Sequence, residues 1–74
     1  MAKLEGKRVA FLVANEGVEQ VELVRPWEAV REAGAEAELI APEGSEVQAF
    51  NHLDKADTFP VDRRVADVRA EDYD

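Results

Sequence analysis

Two glutamates at the start of a helical segment are the residues of this sequence best placed to do chemistry. Glu19 and Glu22 follow a short apolar run and are three residues apart, so they share one side of a first helical turn. In open α/β sheets, ligands bind outside the carboxyl ends of the strands, where such a turn lies. The spacing also fits a structural role, because acidic side chains stabilise the positive N-terminus of a helix. The two residues are a candidate site to which spacing alone assigns no reaction.

Few other residues of the chain offer catalytic or ligand-binding chemistry. The sequence has no cysteine, which excludes disulfides, thiolate metal sites and a cysteine nucleophile within these residues. His52 is the single histidine, and its spacing to Asp54 and Asp57 arises by chance in an acidic chain, so we expect a surface residue and no metal site. The turn after the first apolar run has one glycine instead of the three of a dinucleotide loop, and Glu16 and Glu19 would repel a pyrophosphate. We therefore expect no cofactor.

The charge and the apolar runs exclude several classes of partner. The chain carries 17 acidic and 9 basic residues, a net charge of −8, whereas binding to nucleic acid or to an anionic membrane needs clustered basic residues. No apolar run approaches the ~20 residues that cross a bilayer, and no small-residue cleavage site follows the first run. These features, together with the lack of cysteine, predict a cytoplasmic protein with a solvated acidic surface; adaptation to high salt is the alternative.

The elements around the two glutamates follow from hydrophobic periodicity. Residues 9–14 form a continuous apolar run, typical of a parallel strand covered on both faces, and we expect this strand at residues 8–14 and a second strand at residues 36–41. Residues 19–33 predict a helix that ends at Gly34, with its apolar residues at steps of three and four: Val21, Leu23, Val24, Trp27, Val30 and Ala33. Pro26 removes one helical hydrogen bond and should kink this helix near Glu22-Leu23, and a helix that begins only at Pro26 is the alternative. We expect a right-handed β-α-β unit whose two strands are parallel neighbours.

The remainder of the chain gives weaker signals. Residues 47–50, 58–61 and 65–68 predict three short extended pieces, and Pro60 confines the second of them to a sheet edge. Residues 51–57 are a polar segment between the first two pieces, and residues 69–74 predict a helical turn.

A specific resemblance covers most of this sequence. The segment from Arg8 to Leu23, with Pro26 four residues after Glu22 and Gly34 closing the helix, resembles the start of the ThiJ/PfpI family of the class I glutamine amidotransferase-like superfamily. The similarity continues through Ala41-Pro42, residues 57–62 and residues 71–74, which resemble the segment leading into the family's next central strand. It spans well under half of a family domain. The resemblance therefore implies that residues 1–74 are the N-terminal portion of one such domain, truncated before the nucleophile elbow.

The resemblance also implies a fold and a catalytic arrangement. The fold is an α/β, flavodoxin-like open parallel sheet, represented here by its first β-α-β unit and short extended segments. A nucleophilic cysteine on a strand-to-helix elbow, the histidine after it and a glycine-rich oxyanion turn would all lie beyond Asp74. Glu22 matches the glutamate beside that cysteine by its distance from Pro26, and Glu19 matches a second acidic position. The hypothesis is that Glu22 exchanges a proton with the cysteine, while Glu19 faces solvent.

The family's activities include peptidase, glyoxalase or deglycase chemistry and chaperone-like holding, and these residues do not choose among them. Two alternatives to a cysteine-dependent hydrolase stay open. One is a non-catalytic flavodoxin-like interaction or chaperone-like module, and the other is an inactive truncated chain. The resemblance further implies a homo-oligomer, for which Val21 and Trp27 on the first helix are the interface candidates; packing within the helix stripe is the alternative role of Trp27.

Overall fold

The structure, a computed structural model, describes residues 3–74. Its elements include one α-helix and six short strands arranged in two three-stranded sheets. In chain order they are β1 (Arg8–Leu12), β2 (Glu16–Glu19), α1 (Gln20–Glu32), β3 (Glu36–Ala41), β4 (Glu46–Asn51), β5 (Asp54–Pro60) and β6 (Arg63–Arg64), followed by 3₁₀ turns at Val65–Asp67 and Ala70–Asp72.

A parallel β-α-β unit forms the framework of the fold. β1 and β3 pair in parallel, in a register that runs from Arg8 opposite Glu36 to Leu12 opposite Ile40. The short β6 pairs in parallel with the other side of β3, so the order of this sheet is β1-β3-β6 and β1 lies at its edge. The predicted pair of parallel neighbouring strands with a helix between them is confirmed, as is the α/β class with a partial flavodoxin-like architecture.

The helix between these strands ends as its sequence predicts. α1 runs through Pro26 without interruption from Gln20, which excludes a helix that begins only at the proline. At its end, the N–H of Gly34 donates to the carbonyl of Arg31 at 3.0 Å, and the N–H of Ala35 donates to that of Val30 at 3.2 Å. This paired arrangement needs a residue with positive φ, and Gly34 has φ +97°.

The second sheet, in the order β2-β4-β5, contains a strand that the sequence did not indicate. We expected a turn at the start of β2, but this segment is extended because it pairs in parallel with β4, with an irregular register around Gly17. Gly17 permits the irregularity through its φ of +114°. β4 and β5 form an antiparallel hairpin, and β5 lies at the sheet edge, as Pro60 predicted.

The last segment differs from its prediction in one place. The prediction of an extended piece at residues 65–68 is wrong, because Val65–Asp67 forms a 3₁₀ turn. The strand in this region is β6, which begins two residues earlier. Both residues of β6 are arginines, so no apolar pattern marks them, and their pairing with Ile40 and Ala41 makes them extended. The helical turn expected in residues 69–74 is present as the 3₁₀ turn Ala70–Asp72.

A small core joins the helix to both sheets. The buried cluster consists of Leu23, Leu39, Ala41 and Val47, which come from α1, β3 and β4. Trp27 is half-buried beside it, with its ring 5.2 Å from that of Phe11 and tilted by 50°. Trp27 thus packs within the helix stripe. Across residues 3–74, no helix combines the length and the apolar character that crossing a membrane requires.

Candidate functional site

The first turn of α1 lies at the carboxyl ends of β1 and β3. This placement follows from topology, because the chain leaves the carboxyl end of β1, forms β2 and then returns along α1 to the beginning of β3. β2 leads directly into the helix, so Glu19 is both the last residue of β2 and the N-cap residue of α1. Glu22 is the acidic residue of the first turn. Both candidate residues are therefore at the edge of the sheet where ligands bind in open α/β folds.

Glu22 presents an available carboxylate at this edge. Its side chain is exposed, and within residues 3–74 no hydrogen bond or ion pair engages it. Pro26, four residues later, has no N–H, so the Glu22 carbonyl also lacks its usual helical donor. Glu22 is thus open to a partner from outside the described segment.

Glu19, in contrast, already has a partner. Its half-buried carboxylate accepts the backbone N–H of His52, with both oxygens 3.2 Å from the nitrogen, and it makes no capping hydrogen bond to the helix. We expected Glu19 to face solvent. The difference arises because the pairing of β2 with β4 places Glu19 opposite Phe50, next to the hairpin turn. Glu19 therefore holds the hairpin in this structure.

His52 occupies the hairpin turn as an exposed residue with φ +60°. Its backbone N–H donates to Glu19, whereas Asp57 bonds to Gln20 on the helix. Among residues 3–74, no group of three or more His, Asp or Glu side chains is arranged to hold a metal ion. His52 and the two aspartates near it in sequence thus form no such group.

Two polar residues beside the glutamates were missed by the sequence analysis. Gln20 accepts the N–H of Asp57 at 2.8 Å and donates to the Asp57 carboxylate at 3.0 Å. The Asn15 side chain accepts the N–H of Glu43 at 2.8 Å and donates to the carbonyls of Glu43 and Glu46 at 3.1 and 3.0 Å. No local pattern marks these contacts, because the partners are 28 to 37 residues apart.

A charged cluster lies on β3, away from the two glutamates. The Tyr73 hydroxyl donates to Glu38 at 2.7 Å, and Arg8 donates to the other carboxylate oxygen at 3.2 Å. The Tyr73 hydrogen bond, followed by the Arg8 contacts, holds the pKa of Glu38 below its ordinary value, although partial burial opposes this shift. Burial, followed by the contact with Glu38, raises the pKa of Tyr73. Arg8 also lies 5.2 Å from the centre of the Tyr73 ring, so the cluster ties the last described segment to the sheet.

The backbone at Asp74 continues this attachment along β1. The Asp74 N–H donates to the Arg8 carbonyl at 2.8 Å, and the Arg8 N–H donates to the Asp74 carboxylate at 2.7 Å. These bonds lie at the beginning of β1, on the strand that forms the edge of its sheet.

An apolar cavity of about 220 Å³ opens between the helix and the hairpin. Neither Glu19 nor Glu22 lines it, so it is separate from the candidate site. Its polar group, the Asp62 carboxylate, already accepts the N–H of Leu39 at 2.7 Å. The other lining residues are Leu23, Val24, Trp27, Phe59, Pro60 and Leu39 itself.

A parallel β-α-β unit with a free glutamate on its first helical turn defines an open α/β protein with a candidate site at its carboxyl edge. The DJ-1/PfpI family model matches residues 7–74, and the chain belongs to that family. An uncharacterized protein of Staphylococcus haemolyticus is 40% identical over 68 residues, and one of Staphylococcus saprophyticus is 37% identical over 68 residues. Each match covers 92% of this chain and 37% of the relative, so the chain spans little more than a third of their length.

Proposed function

We propose that a full-length protein carrying this segment is a cysteine-dependent hydrolase, of peptidase or of glyoxalase/deglycase type, whose nucleophilic cysteine lies beyond residue 74. The observation that carries the proposal is the exposed Glu22 carboxylate, which has no partner within residues 3–74 and stands at the carboxyl edge of the parallel strands. Membership of the DJ-1/PfpI family supports the same assignment.

In the proposed mechanism, Glu22 shares a proton with the cysteine. The positive helix N-terminus favours the ionised carboxylate, whereas a neighbouring thiolate and burial by the rest of the protein favour the neutral acid. The neutral acid donates a hydrogen bond to the thiolate and stabilises the nucleophilic form. The Glu19 carboxylate is engaged by His52, which leaves Glu22 as the proton carrier and gives Glu19 a lesser role.

The open edge of β1 could pair with a further strand that would bring later residues of the protein close to Glu22. Asp74 is hydrogen-bonded at the beginning of β1, so a strand that continued from it could run parallel to β1. Such a strand would end at the same edge of the sheet as the first turn of α1. The residues that follow it would then be close to Glu22.

The test is cysteine alkylation followed against pH in the full-length protein with Glu22→Gln and Glu22→Ala. We expect Glu22→Ala to raise the apparent pKa of the cysteine by roughly one unit, because the thiolate loses a hydrogen-bond donor. The amide of Glu22→Gln can still donate to the thiolate but cannot share its proton, so we expect a smaller rise. Glu19→Gln serves as the matched control and should produce a smaller shift. If neither Glu22 variant exceeds the shift seen with Glu19→Gln, Glu22 is only a helix-end charge and the proposal is wrong.

A non-catalytic interaction or chaperone-like module is the second candidate. It is favoured by exposed apolar side chains, with Leu53 at the hairpin tip 95% exposed and Leu12 at the end of β1 68% exposed. A full-length sequence in which another residue replaces the elbow cysteine would select this candidate. A stop codon directly after Asp74 would instead select an inactive truncated chain.

We also propose that the full-length protein is a cytoplasmic homo-oligomer that associates through α1. Val21 is 46% exposed on this helix, and Trp27 is only half-buried against Phe11, so both retain apolar surface for a subunit contact. Light scattering of a Trp27→Ala variant, with Val30→Ala as the control on the same helix, tests this assignment through the mass of the particle.

A further inference from the structure

We propose that the β4–β5 hairpin is a brace for the first turn of α1, and that Gln20 and Asp57 are the pair through which it positions the Glu22 carboxylate. This inference rests on the proposed function of Glu22. It assigns positioning roles to Gln20 and Asp57, neither of which touches the reacting atoms.

The Gln20 side chain is held at both ends of its amide group. Its oxygen accepts the Asp57 N–H at 2.8 Å, and its nitrogen donates to the Asp57 carboxylate at 3.0 Å. Two simultaneous bonds fix the orientation of the amide and therefore the position of the first residue of α1 relative to β5. Positions two apart on an α-helix point about 200° apart, so Gln20 is anchored to the hairpin while Glu22 points away from it.

Two neighbouring side chains hold the same stretch of backbone. Glu19 bonds to the turn of the hairpin at His52, and Asn15 bonds to Glu43 in the loop before β4 and to Glu46, the first residue of β4. The segment between β1 and α1 is thus attached at three points, all on the side of the hairpin. Glu19 occupies the N-cap position of α1 and makes no capping hydrogen bond, and its carboxylate bonds to the hairpin instead.

These contacts suit positioning better than stabilisation. The Gln20–Asp57 bonds are exposed, and the hairpin is already held by the pairing of β2 with β4 and by the burial of Val47. Exposed polar contacts contribute little to stability, whereas a displacement of about 1 Å at a reacting group reduces a rate by as much as ~10²-fold. Loss of the pair should therefore change the chemistry of the cysteine far more than it changes unfolding.

The experiment measures cysteine alkylation against pH, and thermal unfolding, in the full-length protein. Gln20→Met preserves the length of the side chain and removes both bonds, so we expect the apparent pKa of the cysteine to rise by roughly 0.5 unit or more. The unfolding midpoint should move by less than about 4 °C. Glu28→Met, an exposed change on the same helix, is the matched control and should leave the pH profile unchanged.

A swap of the amide and the carboxylate between positions 20 and 57 distinguishes loss of the hydrogen-bonded pair from a simple change of charge. Gln20→Glu places two carboxylates together and should raise the pKa of the cysteine, whereas Asp57→Asn keeps a neutral hydrogen bond. In the double variant Q20E/D57N, the introduced amide can donate to the introduced carboxylate, so the wild-type pH profile should return. The titratable groups around the pair are Glu19 on the helix side and His52 and Asp57 on the hairpin, and all but Asp57 are unchanged in these variants.

The outcomes distinguish the brace from the proposed function. If Glu22→Ala does not move the pKa of the cysteine, the proposed function fails and the brace has nothing to position. If Glu22→Ala moves this pKa but Gln20→Met does not, the brace is overturned while the role of Glu22 stands. Failure of the double variant to restore the profile that Gln20→Glu has shifted would also overturn the brace, because the added charge alone would then explain the shift.

Discussion

Glu19 and Glu22 share one end of one helix, yet only Glu19 has a protein partner within residues 3–74. The difference comes from β2, whose pairing with β4 brings the hairpin turn to Glu19 and leaves Glu22 beyond it. The Glu19 carboxylate is already occupied by the backbone N–H of His52, so it is less available to a nucleophile. The free one is the better candidate for acid–base work.

Tyr73→Phe should change how stability depends on pH. The Tyr73 hydrogen bond lowers the pKa of Glu38 in the folded protein. The stabilisation that this bond provides is therefore present above pH 4.5, the ordinary glutamate pKa, and is lost as the pH falls through the lower pKa of the folded state. The variant should lose about 1 kcal/mol at pH 7 and show a shallower decline in acid. Thermal unfolding of the full-length protein from pH 2 to 8 measures both effects.

At alkaline pH, the ionisation of Tyr73 itself makes stability fall as the pH rises. Its pKa is raised from 10.0, so its contribution is present below that value and is lost as the pH rises through the folded value. Tyr73→Phe should abolish this alkaline decline while keeping an aromatic ring beside Arg8. Asp67→Asn, which breaks an exposed ion pair with Arg64, is the control and should cost less stability than Tyr73→Phe. Equal losses in the two variants would contradict a special role for Tyr73.

The sequence predicted where the candidate site lies but not the hydrogen bonds that its residues make. The placement of Glu19 and Glu22 at a helix start follows from spacing and from the apolar run before them. The hydrogen-bond partners of Glu19 and Gln20 cannot be predicted in this way, because His52 and Asp57 are 33 and 37 residues away along the chain. Such contacts depend on how the second sheet packs, which no local pattern encodes.

At the scale of elements, the sequence predicted the strands and the helix that have a strong hydrophobic pattern and missed those that have none. β1, α1 and β3 carry continuous or helically spaced apolar residues, and the sequence predicted each of them. β2 contains Glu16 and Gly17, and β6 consists of two arginines, residue types that carry no strand signal of their own. Both become extended by pairing with β4 and β3, so tertiary contacts decided their structure.

Gly17 tests whether the irregular register of β2 depends on backbone freedom. Gly17→Ala should destabilise the full-length protein by about 1–2 kcal/mol, because alanine is strained at a φ of +114°. A Cβ at this position would meet no atom within 4 Å, so Gly17→Ser should cost about the same as Gly17→Ala. Chemical denaturation measures the three proteins, with Glu16→Ala as the exposed neighbouring control. A larger loss for serine than for alanine would show that crowding, and not backbone strain, sets the cost.

At the scale of the molecule, the described segment is thin and open. Its extents are 37 × 27 × 14 Å and its radius of gyration is 12.6 Å, compared with about 11.3 Å for a compact domain of this length. β1 lies at a sheet edge, and Leu12 at its end is largely exposed. A chain of this size buries a smaller fraction of its surface than a larger domain does, so unpaired strand groups and exposed apolar side chains leave little net stability.

We therefore predict that the isolated 74-residue chain is not a stable monomer in dilute, low-salt buffer. Its net charge of −8 adds self-repulsion, which about 1 M NaCl should screen because the Debye length falls to ~3 Å. Light scattering and thermal unfolding at low and high salt measure the particle mass and the transition. A variant with Glu5, Glu28, Glu32 and Glu71 replaced by glutamine changes the net charge from −8 to −4 and should reproduce part of the effect of salt. A cooperative transition with a monomeric mass at low salt would contradict this prediction and would show that the two small sheets and α1 stabilise each other without further chain.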